Sequence, residues 1–366
     1  MAKIRVFVVD DSTVVRQVLT NVLQSDPGIE VIGAAPDPFE ARDKIVTLRP
    51  DVITLDVEMP KMDGITFLRK LMERFPVPTI MVSGVTPKGC ALALEAMEIG
   101  AIDVIEKPVL TDDGALQNFG IRLIDQVKAA AMSKRRIPVK SPASAAPSHA
   151  ASAGAKIGGA GAGQKGQGAH LAMPAANRRS SKMIAIGAST GGTEALKTVL
   201  ERMPPDCPPI LIVQHMPGNF TRAFSERLNN HCAIEVKEAE NGMELCPGRA
   251  VIANGNLHLM VKKSGLGWVA ETRDGPLVCR HKPSVEVLFN SFARHLGSHG
   301  VGAILTGMGR DGADGLKAMR DAGARTVAQD EKTCVVFGMP KEAIKAGAAE
   351  KVVPLDKIAD TLLAMI

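Results

Sequence analysis

Aromatic side chains are scarce in this chain. Of 366 residues only 3% are Phe, Trp or Tyr, with a single Trp and no Tyr. Stacking platforms for bases are therefore few, and a nucleic-acid partner is disfavoured. Charge of one sign is scarce too: the net charge is +5, with much of the surplus near the middle at Lys134-Arg135-Arg136 and Arg178-Arg179. No apolar run approaches the length of a membrane span, and acidic residues follow the N-terminus too soon for a signal peptide. The expectation is a soluble, cytoplasmic protein that meets a membrane only through its partners. Six cysteines (Cys90, Cys207, Cys232, Cys246, Cys279, Cys334) are scattered without a close pair. They read as reduced thiols, not as a disulfide framework or a zinc site.

What is present is ordinary for a globular chain, 45% hydrophobic and 23% charged, and long enough for two domains. In the first part, apolar runs at Ile4–Val9, Val31–Ala35, Asp51–Leu55, Pro78–Val82 and Ile102–Glu106 alternate with helical periodicity. That alternation predicts a doubly wound, five-stranded parallel sheet. Asp10, Asp11, Asp56, Ser83 and Lys107 each follow the last apolar residue of a strand. In an open parallel sheet those ends converge on one edge, where ligands bind. Three carboxylates there repel one another and call for a divalent cation such as Mg²⁺. Such a site can accept a phosphoryl group on one Asp, with Ser83 and Lys107 touching its oxygens. A lone Asp at a strand end is usually a turn residue; five suitable residues on successive strand ends are harder to dismiss.

This segment resembles the receiver domain of bacterial response regulators, through Asp10-Asp11, Leu55-Asp56-Val-Glu-Met-Pro-Lys-Met-Asp-Gly64, Ser83 and Lys107-Pro108. The resemblance implies a flavodoxin-like fold, Asp56 as phosphoacceptor, and Mg²⁺ held by Asp10, Asp11, Asp56 and the backbone carbonyl of Glu58. Many receivers carry an aromatic three residues before the lysine; here that position is Val104. Residues 1–125 are expected to form this domain and 126–181 a flexible linker, because from about Met132 to Ser181 periodicity gives way to Ala, Gly, Ser, Pro and Lys. A flexible coil of about 45 residues spans on the order of 35–40 Å.

Residues 182–366 make the second domain. Met183–Ile186 reads as a buried strand, and Thr193–Leu200 as a helix; between them lies Gly187-Ala-Ser-Thr-Gly-Gly192. A serine in that turn is placed to react, and a helix N-terminus offers N–H groups to an oxyanion. The same turn could serve as a helix cap or a phosphate cradle. Pro209–Val213 is a strand ending in Gln214-His215, and Val301–Leu305 a strand ending in Thr306-Gly-Met-Gly-Arg-Asp-Gly312. Ser189, His215 and Asp311 thus have the types needed for nucleophile, general base and orienting carboxylate. A dinucleotide-binding turn is the rival reading, although Gln214-His215 stands where its acidic residue belongs. A non-catalytic regulator that only binds a partner is another.

Four stretches together resemble the effector domain of the chemotaxis protein-glutamate methylesterases: Ile186-Gly-Ala-Ser-Thr-Gly-Gly-Thr-Glu194, Val213-Gln-His-Met-Pro217, His281-Lys-Pro-Ser-Val-Glu-Val-Leu-Phe289 and Leu305-Thr-Gly-Met-Gly-Arg-Asp-Gly312. A receiver joined by a linker is also that family's architecture. The resemblance implies a Rossmann-like second domain with Ser189 as nucleophile, His215 as base, and Asp311 behind it. Met308 and Thr190 would supply the oxyanion hole, and no cofactor would serve the ester cleavage. Methylated chemoreceptors would be substrates, their glutamines would be deamidated, and a chemotaxis histidine kinase would supply the phosphoryl group. Arg310 stands where related sequences often have Asn. His281 is expected to be structural or to face substrate.

Overall fold

The computed structural model describes residues 2–84, 86–108, 113–133 and 182–366. The first domain runs β1 (Ile4–Val9), α1 (Thr13–Gln24), β2 (Ile29–Ala35), α2 (Pro38–Leu48), β3 (Val52–Asp56), α3 (Gly64–Arg74), β4 (Thr79–Ser83), α4 (Pro87–Ile99), β5 (Asp103–Glu106) and α5 (Asp113–Ser133). Its strands pair in the order β2-β1-β3-β4-β5, all parallel. Phe7, Ile53, Leu55 and Met81 are fully buried between the two helix layers. Polar side chains start the helices: Asp37 accepts from Phe39 and Glu40 N–H before α2, and Asp63 from Thr66 N–H before α3.

The expected boundary at residue 125 is too early. Residues 126–133 are the last turns of α5, where Val127, Ala129 and Ala130 are buried in the core, so the apolar periodicity runs on into the Ala-rich stretch. The rest of the expected linker lies outside the described residues.

The second domain runs β6 (Met183–Ala188), α6 (Gly192–Leu200), β7 (Ile210–Gln214), α7 (Gly218–His231), β8 (Glu235–Glu238), β9 (Arg249–Ile252), β10 (His258–Ser264), β11 (Gly267–Arg273), α8 (Val285–His295), β12 (Gly300–Ile304), α9 (Ala313–Asp321), β13 (Arg325–Gln329), α10 (Met339–Lys345), β14 (Lys351–Val353) and α11 (Leu355–Leu363). Seven parallel strands lie in the order β14-β13-β12-β6-β7-β9-β8, while β10 and β11 form a separate antiparallel hairpin that the sequence reading did not foresee. The central strand β6 lies between β12 and β7, with Ile186 opposite Ala303 and Ile212. Three neighbouring strand ends therefore open onto the same edge of the sheet.

The domains touch through α4, β5 and α5. Leu94 and Met97 of α4 share one apolar cluster with Leu196, Phe224 and Leu228 of α6 and α7. No helix among the described residues is long and apolar enough to cross a membrane.

Candidate active site and phosphoacceptor site

Gly191 makes the turn after β6 possible. Its φ of 76° is left-handed, and a Cβ there would come within 2.6 Å of Val335. The turn is pinned from two sides: Ser189 N–H donates to Thr306 O at 3.0 Å, and the Gln214 amide donates to Ser189 O at 2.9 Å. Gln214, standing where a dinucleotide site would need an acid, thus ties the β6 turn to the β7 turn.

His215 follows β7, and its Nε2 lies 2.8 Å from Asp311 Oδ2. The carboxylate fixes the tautomer, with the proton on Nε2 and a lone pair on Nδ1. Nδ1 is buried and has no hydrogen-bond partner among the described residues. Ser189 is 8% exposed, and its Oγ forms no hydrogen bond to His215 among those residues. The ring of His281 stacks on that of His215, with centroids 3.8 Å apart and planes 7° from parallel, and its Nδ1 donates to Cys279 O at 2.8 Å. Burial pushes the His281 imidazole well below its ordinary pKa, and the neighbouring His215 adds to the effect. His281 is therefore neutral at physiological pH.

Asp311 is the most heavily bonded carboxylate of the domain. Besides His215 it accepts from Ser284 Oγ at 2.7 Å, Val285 N–H at 2.8 Å and Glu286 N–H at 3.0 Å. The last two donors belong to the first turn of α8, so Asp311 caps that helix from another part of the chain. Burial alone would raise its pKa, but the His215 contact and the Ser284 hydroxyl outweigh that and hold it below the usual carboxylate range. Nothing in the sequence distinguishes Ser284, although it lies inside the His281-Lys-Pro-Ser stretch. Gly187 lets the strand end meet α8 closely, because a Cβ there would stand 2.2 Å from Val285.

Met308, on the turn before Asp311, lines the cleft above Ser189. The backbone N–H groups of Met308 and Thr190 have no hydrogen-bond partner among the described residues. The side chain of Thr190 is committed elsewhere: its Oγ1 donates to Asp103 of β5, at 2.9 Å. Asp103, which nothing in the sequence had singled out, is 7% exposed, and burial raises its pKa to about 6.

In the first domain, ligand oxygens of Asp10, Asp11 and Asp56 all lie within 4.8 Å of one another. Lys107 Nζ stands 2.7 Å from Asp56 Oδ2 and 3.0 Å from Asp10 Oδ2. Asp10 Oδ2 is buried and shares that single ammonium with Asp56 Oδ2. Burial raises Asp56 to about 6 against the opposing effect of Lys107, and raises Asp10 as well. Three crowded carboxylates sharing one ammonium offer hard oxygens that fit a divalent cation. Glu58 N–H donates to Asp56 Oδ1 at 3.2 Å, and Ser83 Oγ to Gly84 O at 3.2 Å. Val104 is buried in β5, and no aromatic ring stands there.

Comparison with known proteins agrees with both halves. Residues 6–117 match the response regulator receiver domain and residues 184–362 the CheB methylesterase domain. The chain is 50% identical over 366 residues to a protein-glutamate methylesterase/protein-glutamine glutaminase of Syntrophus aciditrophicus, covering all of both chains. It is 50% identical over 364 residues to one from Geobacter metallireducens, covering 99% of each. This chain belongs to the CheB methylesterase family. The crystal structure of the Thermotoga maritima CheB methylesterase catalytic domain matches at a TM-score of 0.50 and 37% identity, over 51% of this chain and all of that one. Membership in this family removes the dinucleotide-binding and non-catalytic readings of the second domain.

Proposed function

We propose that this CheB-family chain hydrolyses γ-methyl esters of glutamate on chemoreceptors and deamidates receptor glutamines, under control of phosphorylation at Asp56. What supports the reading is that Ser189, His215 and Asp311 line one cleft at adjacent strand ends, with Asp311 anchored and His215 Nδ1 without a hydrogen-bond partner among the described residues. Because Asp311 engages Nε2, the nitrogen that takes the serine proton is Nδ1. Ser189 Oγ attacks the γ-carbonyl as its proton passes to Nδ1, and the N–H groups of Met308 and Thr190 receive the oxyanion. The C–O bond to methoxide breaks while the proton on Nδ1 moves to the leaving oxygen, releasing methanol. Water then gives a proton to Nδ1 and cleaves the acyl-serine, which restores the serine and leaves a carboxylate. A glutamine side chain passes through the same steps with ammonia as leaving group.

In the receiver, Asp56 accepts the phosphoryl group from a kinase, and Lys107 and Ser83 contact its oxygens. Mg²⁺ held by Asp10, Asp11, Asp56 and the Glu58 carbonyl would supply positive charge to the phosphoryl oxygens. A phosphoryl group on Asp56 competes for Lys107 and biases the α4-β5-α5 face away from the cleft, a population shift.

The test is methanol release from methyl-labelled receptor membranes, comparing wild type, Ser189→Ala and Asp56→Ala with and without acetyl phosphate. Release should require Ser189 and should rise with phosphodonor only where Asp56 is present. Release that survives Ser189→Ala overturns the triad; a phosphodonor response that survives Asp56→Ala overturns the control.

A further inference from the structure

The cleft above Ser189 holds about 600 Å³, and its walls come from both domains. One wall is α5. Asn118, Ile121, Arg122 and Asp125 line the cleft at spacings of three and four, so a single face of a helix lies across the opening. The opposite rim, on the catalytic domain, is cationic: Arg280, Lys282 and Arg310. Two of these cations are answered within their own domain, Lys282 by Asp274 at 2.6 Å and Arg310 by Asp314 at 2.5 Å. Arg280 faces a carboxylate of the other domain instead, Asp125 of α5 at 3.9 Å.

Arg280 is also held in a costly backbone position. Val278 and His281 exchange both backbone hydrogen bonds, at 3.0 and 2.9 Å, leaving Cys279 and Arg280 as a two-residue turn. Both have positive φ, 51° and 67°. Asn-Gly is the favoured pair for such a turn, and ordinary side chains there store backbone strain of the kind that gathers at functional sites. The turn places Arg280 one residue from the ring that stacks on His215.

We propose that the catalytic domain reads its substrate as a helix with a carboxylate near the reacting glutamyl side chain, that Arg280 takes this carboxylate, and that α5 holds the helix's place through Asp125 when the domains are closed. This rests on the esterase reading above. A helix with a carboxylate on the face it presents has the shape of α5 and repeats the one α5 carboxylate, Asp125, that faces Arg280, and Arg280 is the rim cation left without a partner once α5 departs. Arg280 thus serves as a positioning residue for substrate and, in the closed form, as an anchor for the receiver.

The experiment uses the full chain with Mg²⁺ and acetyl phosphate, and two helical peptides that each carry one glutamyl γ-methyl ester. One peptide has glutamates three, four and seven residues to either side; the other has alanines there. For an exposed ion pair the expected preference in kcat/KM for the acidic peptide is about fivefold. Arg280→Gln should bring that ratio below about twofold, and Arg280→Lys should keep most of it, because charge is retained. Asp125→Asn should preserve the ratio while raising the rate without phosphodonor severalfold. An equal rate on both peptides, or a ratio unmoved by Arg280→Gln, overturns the proposal and leaves the esterase reading intact. If wild type cleaves neither peptide while releasing methanol from receptor membranes, this proposal falls and the esterase reading stands; release from neither source overturns both.

Discussion

Asp56 and Asp311 stand at equivalent places, each buried at the carboxyl end of a parallel strand, yet their acidities move in opposite directions. Asp56 is raised to about 6, with burial as the leading cause and Lys107 as partial relief. Asp311 is equally buried but lies below the ordinary range, because His215, Ser284 and the first turn of α8 all donate to it. The difference teaches what each site is built to do. A carboxylate that gathers four donors stays charged beside an imidazole, whereas one with two donors and a second carboxylate beside it is pushed toward the neutral form until more positive charge is supplied.

The comparison breaks most sharply at Asp311. Asp311→Asn turns an acceptor toward the N–H groups of α8 and allows the wrong His215 tautomer, so methanol release should fall about 10³–10⁴-fold. Stability should fall by about 2–4 kcal/mol, read by urea denaturation at pH 7, because buried donors lose their acceptor. The pH dependence carries the same sign. Since the folded pKa is depressed, the stability from Asp311 is complete above the unfolded value near 3.8 and is lost as pH falls through the folded value. A rate loss under tenfold would mean that Asp311 does not orient His215.

At Asp56 the sign reverses. Its folded pKa lies above its unfolded one, so the ionised group costs stability above about pH 6 and progressively less down to about 4. Asp56→Asn should therefore stabilise the chain at pH 7 in chelator by about 1–2 kcal/mol, after allowance for the partner lost to Lys107. The gain should vanish near pH 4, and Mg²⁺ should stabilise wild type more than the variant. Thermal unfolding at the two pH values decides it; a variant less stable at pH 7 would show that Lys107 already satisfies the site.

Much of this was legible in the sequence because parallel sheets write themselves plainly. Each buried strand is a short apolar run, and the first polar residue after it marks the functional edge; Asp10, Asp56, His215 and Asp311 could all be placed that way. The hairpin β10–β11 was not, since its half-exposed residues give no continuous apolar run. The end of α5 was misplaced because buried alanines and a low-complexity spacer have similar composition. Ser284 and Asp103 were overlooked for a different reason. Their roles are set by contacts with Asp311 and Thr190, which lie 27 and 87 residues away in sequence. The stacking of His281 on His215 is likewise a product of the Cys279-Arg280 turn, which no local preference announces.

Asp103 offers a smaller effect that links the two domains. Docked against Thr190 it titrates near 6; freed, it returns toward about 3.8. The closed form therefore binds the extra proton between those values, and closure should tighten by about tenfold as pH drops from 7 to 5. The ratio of wild-type to Asp103→Asn release without phosphodonor cancels the triad's own titration. That ratio should fall about tenfold over this range, and a flat ratio would place Asp103 outside the closing contact.

The smallest effect should come from Glu98 of α4, which pairs with Lys197 of α6 at 3.2 Å and also with Arg227 of α7. All three groups are partly exposed, so each pair contributes at most about 1 kcal/mol and is screened by salt. Glu98→Gln should raise release without phosphodonor only about two- to threefold, and about 0.5 M NaCl should erase the difference. The apolar contact of Leu94 and Met97 with Phe224 and Leu228 is indifferent to salt and remains in the variant. A tenfold rise in Glu98→Gln would therefore mean that charge, and not this apolar patch, holds the receiver over the cleft.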